Sequence, residues 1–184
     1  EKVEQAKQLA SKLSLPISFS LGNTKLHDTL IFNLPAVVTC PWATEACLNY
    51  CYTIKSERIY PSVLPRRVRH LDESQKDSFV QMVNEQLTKL KKKKSRKTGE
   101  RKFHYVRIHE SGDFYNQTYV DKWTEIVKSN PDLKFLAYTK SYALNFDELS
   151  KQPNMTLRYS LDSTSKHVRH DLPLAYVRTE ETIQ

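Results

Sequence analysis

The chain has 184 residues, a length that suits one domain with its own hydrophobic core. Hydrophobic residues make up 39% and charged residues 27%, so the chain is expected to fold, and no apolar run is long enough to span a membrane. Only three glycines occur, which argues against glycine-rich phosphate-binding loops. We expect a soluble, cytoplasmic protein. A trimmed start that removed a targeting segment stays open, because residue 1 is Glu1 rather than Met.

The net charge of +8, with a pI near 9.3, permits anionic partners. Much of the excess lies in Lys89–Lys102, a basic run without aromatic residues. This segment is interpreted either as a solvated loop after a helix or as a contact to the phosphates of a nucleic acid.

Hydrophobic spacing and turn signals predict alternating helices and strands along the chain. The interval 61–70, rich in proline and arginine, is expected to be a connection. The predicted elements are a helix over 3–13, strands over 17–21 and 30–38, a long helix over 72–92, strands over 103–108, 134–138, 155–160 and 174–177, and helices over 116–129 and 145–151.

Strands that alternate with helices predict right-handed β-α-β units and a parallel sheet, and hence the α/β class. We expect a single domain, in which residues 1–29 form an N-terminal helix and strand extension and residues 30–178 form the core. Parallel sheets build their sites in the loops that follow the strand C-terminal ends. The four predicted loops there carry polar and reactive side chains; they contain Cys40, His109–Asp113, Thr139–Ser141 and Asp162–Thr164.

The three cysteines, Cys40, Cys47 and Cys51, all lie within twelve residues in a C-x6-C-x3-C spacing. Their odd number rules out a complete disulfide framework, and clustered thiolates suit a soft metal. Zinc bound as Cys3His is one alternative, with His109, His70 or His167 as the fourth ligand. Three unrelated buried thiols are the other alternative.

The residues of this loop, the series RIHESGDFY, the later YTKS and SLDS, and a helix with Trp123 resemble the phage gene product 88 family. That family occurs on phages and mobile elements, and it looks like a distant relative of radical SAM enzymes. The resemblance covers residues 30–163. It implies a [4Fe-4S] cluster on Cys40, Cys47 and Cys51, carried by a radical SAM-like partial (β/α) barrel.

Three cysteine ligands on four irons would leave one iron open, which suits either SAM or a substrate oxygen. Radical SAM enzymes typically use x3 and x2 cysteine spacing and a glycine-rich turn after the second strand, and this sequence has neither. We therefore expect a Lewis-acid hydrolase of an ester or phosphoester, acting on a small-molecule or anionic substrate. The alternatives are a radical SAM-like enzyme and a metal-stabilised module that binds nucleic acid through Lys89–Lys102.

Three residues are predicted to be catalytic. His109 is the candidate acid or base, because the ordinary pKa of histidine lies near neutrality. Asp113 is predicted to orient His109 or to bind substrate, although capping of the next helix explains it equally well. Lys140 is predicted to bind an anionic group or to stabilise developing negative charge, with an exposed turn residue as the alternative.

Overall fold

The computed structural model describes residues 2–12, 16–22 and 26–177. Their helices are α1 (Lys2–Lys12), α2 (Glu45–Asn49), α3 (Tyr52–Ile59), α4 (Val63–Ser74), α5 (Phe79–Lys91), α6 (Gln117–Lys128) and α7 (Asp147–Ser150). Their strands are β1 (Thr29–Phe32), β2 (Tyr105–Ile108), β3 (Lys134–Thr139), β4 (Met155–Leu161) and β5 (Leu174–Tyr176). None of these helices is long and apolar enough to cross a membrane.

The five strands form one sheet in the order β1-β2-β3-β4-β5, and every neighbouring pair is parallel. Phe32 is level with Ile108, and Ile108 with Ala137, so the C-terminal ends of these strands meet at one edge. The predicted α/β class with parallel strands is confirmed. Barrel curvature and a radical SAM-like relationship stay predictions.

One face of the sheet packs against the helices. In β2 to β4 every second side chain is buried, and these side chains join the hydrophobic core with those of α5 and α6. The centre of the core is an aromatic cluster in which the Trp123 ring lies 5.4 Å from Phe32 and 6.0 Å from Phe79, both edge-on. Each such pair adds about 1 kcal/mol to the burial of its rings.

The predicted strand over 30–38 is too long, because β1 ends at Phe32. Beyond it the Leu34 N–H donates to the Ser111 carbonyl, and Val37 adopts a positive φ of 68°. Tertiary hydrogen bonds therefore override the β preference of this apolar run. The predicted strand over 17–21 is reduced to a single antiparallel bridge between Ser20 and Ile31.

The predicted helix over 72–92 is two helices, α4 and α5, separated by residues 75–78. Most of the predicted connection over 61–70 is helical, since α4 begins at Val63. Pro65 lies in the first turn of α4, where its missing N–H removes no helical hydrogen bond. The predicted opening helix ends at Lys12 among the described residues, and Leu13 lies outside them.

The basic segment Lys89–Lys102 contains the end of α5 and a hairpin closed by the bridge between Lys94 and Arg101. The segment precedes β2, so it lies at the N-terminal edge of the sheet, opposite the cysteine loop. Asp132 pairs with Lys91 and with Arg101, each at 2.7 Å. A role in binding nucleic acid stays a prediction.

Candidate functional site

The cysteine loop follows β1 at the C-terminal edge of the sheet. Cys40 lies in the turn before α2, Cys47 lies within α2, and Cys51 lies at the N-cap of α3. Helix α2 ends at Asn49, so Cys47 and Cys51 do not share one helix. All three cysteines are half-buried and none forms a disulfide.

The loop is fixed to the far side of the site by hydroxyl groups. The Thr44 hydroxyl donates to Asp162, which follows β4, and also caps α2 by accepting from the Cys47 N–H at 3.2 Å. The Ala46 N–H donates to the Thr164 hydroxyl at 3.0 Å. Hydrogen bonds across 118 residues of sequence thus position the segment that carries Cys47.

The loops after β1 and β2 are in direct contact, as their shared sheet edge predicted. The Asp113 N–H donates to the Thr39 carbonyl at 3.2 Å. Gly112 has φ +83°, and an added Cβ would lie 2.6 Å from Leu34 Cβ and from Thr39 Oγ1. Only glycine fits this close approach.

A hydrogen-bonded chain connects Cys51 to the same β2 loop. Cys51 Sγ lies 3.3 Å from Thr53 Oγ1, which also accepts from the Ser111 hydroxyl at 3.3 Å. Ser111 is buried, and its hydroxyl links the β2 loop to the start of α3 through Thr53.

His109 is an interior residue, 3% exposed, with a positive φ of 68°. Its Nε2 lies 2.9 Å from the Tyr119 hydroxyl, and its ring packs against Phe114 and Tyr119. Burial, with a smaller contribution from the Arg107 charge, lowers the pKa of His109 to about 3. The imidazole is therefore neutral at pH 7 and enclosed, so proton transfer to an external substrate would require this loop to open.

Asp113 is also buried, and it ties the β2 loop to the end of β3. Its carboxylate accepts from the Phe114 N–H at 2.7 Å, the Thr139 hydroxyl at 2.7 Å and the Lys140 N–H at 2.8 Å. Hydrogen bonds from these donors lower the pKa of Asp113, but burial outweighs them and raises the pKa to about 6. The cap of α6 is Asn116 rather than Asp113, so the capping alternative is wrong.

Lys140 lies beside the cysteine loop. Its Nζ contacts Asp162 Oδ2 at 2.7 Å and the Ser160 carbonyl at 3.0 Å, and the two charged side chains are 9% and 3% exposed. Burial raises the pKa of Asp162, but hydrogen bonds from Lys140, Thr44 and Thr164 outweigh it and hold the pKa well below its usual range. The alternative that Lys140 is an exposed turn residue is therefore wrong.

The three thiols lie within electrostatic range of one another. Burial, followed by the Asp113 carboxylate, raises the pKa of Cys40 to about 12. Burial also raises the pKa of Cys47, whereas the Lys140 ammonium lowers it. A bound cation would offset the mutual repulsion of thiolates held in such a site.

The donor set of the loop is three free thiols, the ligands that iron–sulfur clusters use. Within 2–12, 16–22 and 26–177, no three His, Cys, Asp or Glu side chains lie close enough together to hold one metal ion. Sulfur ligands of one ion must all lie about 2.3 Å from it, whereas cysteines on a cluster bind different irons and lie farther apart. Of the histidines suggested for zinc, His70 contacts the Asn33 carbonyl and the Ser18 N–H, and His167 stacks on Tyr142 at 3.8 Å.

A cleft of about 540 Å³ opens beside the cysteine loop, within the size range of small-molecule sites. Trp42 and Tyr142 meet edge-on at 6.2 Å in its wall. The remaining lining residues are Pro41, Ala43, Thr44, Glu45, Tyr159, Thr164, Ser165, Lys166 and His167.

Several residues that build the site were not predicted from the sequence. Asn33 accepts from the N–H groups of Glu110 and Ser111 at 2.8 and 3.0 Å. Glu57 accepts from the Ala36 N–H at 2.9 Å and pairs with the buried Arg67 at 2.7 Å. A polar residue directly after a buried strand is a signal that could have identified Asn33, whereas nothing local marks Glu57 or Arg67.

The fold and site define a parallel α/β protein with a three-cysteine loop after its first strand. The profile of the family described as "Gene product 88" matches residues 4–183, and the chain belongs to this family. The Gene 88 protein of Mycobacterium phage L5 is 31% identical over 150 residues, which cover 77% of this chain and 62% of that protein. The Gene 88 protein of Mycobacterium phage D29 is 30% identical over 150 residues, with 77% and 61% covered.

The chain thus spans about three-fifths of the length of these two relatives. No solved structure shows significant similarity to it.

Proposed function

We propose that the chain holds a [4Fe-4S] cluster on Cys40, Cys47 and Cys51 and hydrolyses an ester or phosphoester. The observation that carries the proposal is the position of three unpaired, electrostatically coupled thiols in one anchored loop at the sheet edge. The five parallel strands lie in the sheet in the same order as in the chain, which supports the further proposal of a partial barrel related to radical SAM folds.

The cluster, when bound by three cysteines, supplies an iron without a protein thiolate, which can act as a Lewis acid toward a substrate oxygen. Lys140 supplies a fixed positive charge beside Cys47, because Asp162 and the Ser160 carbonyl hold its ammonium group. This charge would bind an anionic substrate and stabilise negative charge that develops on it.

His109 and Asp113 serve the proposed site as positioning residues. Both are buried, and the Asp113 carboxylate joins the β2 loop to Thr139 and the Lys140 backbone. The aromatic cleft beside Trp42 supplies the surface on which a substrate lies. Direct catalytic roles for His109 and Asp113 stay predictions.

Anaerobic purification followed by iron and sulfide analysis and an absorption spectrum tests the cluster. We expect about four irons and four sulfides per chain, and loss of both in each of the variants Cys40→Ser, Cys47→Ser and Cys51→Ser. Ser163→Ala, an exposed neighbour of the site, is the matched control. A colourless protein with one zinc would contradict the cluster.

Hydrolysis of p-nitrophenyl esters and of bis-p-nitrophenyl phosphate by the loaded protein tests the activity. We expect Lys140→Met to lower kcat/KM per bound cluster at least tenfold, while Lys140→Arg retains part of the rate. A loaded protein inactive on both substrate classes would contradict the hydrolase.

SAM chemistry is the second candidate. The position of the cysteine loop after the first strand of a sequential parallel sheet favours it. Saturable SAM binding that requires the cluster, with reductive formation of 5′-deoxyadenosine, would support this candidate and contradict the first.

A further inference from the structure

Both faces of the sheet are buried at β1, but its second face is open to solvent over β2 to β4. Parallel sheets are normally covered on both faces, but in β2 to β4 the side chains that alternate with the core residues remain exposed or half-buried. We name this surface the open face; its residues are Tyr105, Arg107, Lys134, Leu136, Tyr138, Thr156, Arg158 and Ser160.

The open face combines positive charge with aromatic rings. It carries three cationic side chains and no carboxylate among its eight residues, although the Arg107 guanidinium pairs with the neighbouring Glu110 at 3.5 Å. Tyr105 is 42% exposed and Tyr138 is 38% exposed. The Arg107 guanidinium lies 5.7 Å from the centre of the Tyr138 ring, and Arg158 is level with Tyr138 on the adjacent strand.

The two tyrosines are spaced to contact different bases. Tyr105 is level with Lys134, four residues before Tyr138 on the neighbouring strand. Ordinary strand spacing and rise place their backbones about 14 Å apart. Aromatic side chains interleaved with cations are the surface on which unpaired bases stack while their phosphates are neutralised.

We propose that the open face binds single-stranded nucleic acid, with Tyr105 and Tyr138 stacking on bases and with Lys134 and Arg158 contacting phosphates. The open face is the surface of a sheet and presents neither a helix nor a projecting ribbon, so it favours unpaired bases over the groove of a duplex. The proposal does not depend on a cluster.

The charge contribution is tested with two variants that each lose two positive charges. Lys134→Ala/Arg158→Ala alters the open face, and Arg96→Ala/Lys97→Ala alters the exposed basic hairpin. We measure fluorescence anisotropy of a labelled twelve-nucleotide oligo(dT) or oligo(U) across a salt series.

The open-face pair is expected to bind at least tenfold more weakly and to reduce the salt slope of log K by about 1.4. The hairpin pair is expected to change binding less than twofold. Equal losses from both pairs, or a loss from the hairpin pair alone, would overturn the proposal, as would failure of the wild-type protein to bind.

The stacking contribution is tested at Tyr138. Tyr138→Ala is expected to weaken binding about tenfold, whereas Tyr138→Phe keeps the ring and stays within twofold. A duplex of the same length is expected to bind at least tenfold more weakly. Equal binding of the duplex, equal losses in the two variants, or a dimer in ultracentrifugation that the open-face variants convert to monomer would overturn the proposal.

Discussion

Lys140 and Asp162 form a buried ion pair, with Nζ 2.7 Å from Oδ2, that joins the end of β3 to the end of β4 beside Cys47. Because Asp162 also accepts from Thr44 and Thr164, this pair supports the segment that carries the cysteines as well as its own charges. The pair therefore has a role in both stability and the proposed chemistry.

Removing the lysine leaves the Asp162 carboxylate buried without its cation. We expect Lys140→Met to lower the free energy of unfolding by about 3 kcal/mol, measured by urea denaturation. Lys151→Met is the matched control, because Lys151 pairs with Glu148 at 3.6 Å on an exposed surface and should cost less than about 0.5 kcal/mol. Equal losses in the two variants would show that the buried pair has no special role.

Gly112 brings the β1 and β2 loops together. Gly112→Ala combines a left-handed backbone with a Cβ that would overlap Leu34 and Thr39, so we expect it to cost about 3 kcal/mol in unfolding experiments. Gly99→Ala has a similar φ of +73° but no neighbour within 4 Å, and it should cost only about 1 kcal/mol. A similar cost at both positions would mean that the loops can separate freely.

Two buried histidines make stability depend on pH. Burial lowers the pKa of His70 to about 4 and that of His109 to about 3. Below pH 6.5 the unfolded chain therefore binds protons that the folded chain does not, and the free energy of unfolding decreases as the pH falls. Asp113, whose pKa burial raises to about 6, acts in the opposite direction below that pH. With the Asp113 contribution subtracted from those of the two histidines, the net loss of unfolding free energy between pH 6.5 and pH 5 should be roughly 2 kcal/mol.

The His70 contribution can be isolated with His70→Asn, which removes one titrating group and keeps an amide near the Asn33 carbonyl. We expect the slope of unfolding free energy against pH below 6.5 to fall by up to about 1.4 kcal/mol per pH unit. A loss of packing in His70→Asn lowers the unfolding free energy equally at every pH, so comparing the slope of the variant with that of the wild type reports the titration alone. An unchanged slope would contradict a neutral, buried His70.

Thr44 connects the cysteine loop to Asp162 while capping α2. If the proposed cluster is present, Thr44→Val should release iron to a chelator about tenfold faster, because the groups behind the ligands fix their orientation. Thr98→Val, in the exposed hairpin, should leave the rate unchanged. Unchanged iron loss in Thr44→Val would show that the loop holds its geometry without this anchor.

The sequence predicted that the four loops lie together. Its alternating strands and helices indicate a parallel sheet, and all the strands of a parallel sheet end at the same edge. It did not predict where β1 ends, since the Leu34 and Ala36 N–H groups bond to partners far along the chain. The burial of His109 was also missed. Strand alternation places it on the exposed face with Arg107, but its positive φ turns the ring toward Tyr119 on the helical side.

The long-range connection between Thr44 and Asp162 bears on how the protein folds. Closing a loop of 118 residues costs about 4 kcal/mol in chain entropy, so we expect this contact to form after β4 has joined the sheet. The β-α units, by contrast, assemble from contacts between consecutive elements. We therefore expect the segment that carries Thr44 and Cys47 to become fully ordered late in folding, after the strands have paired.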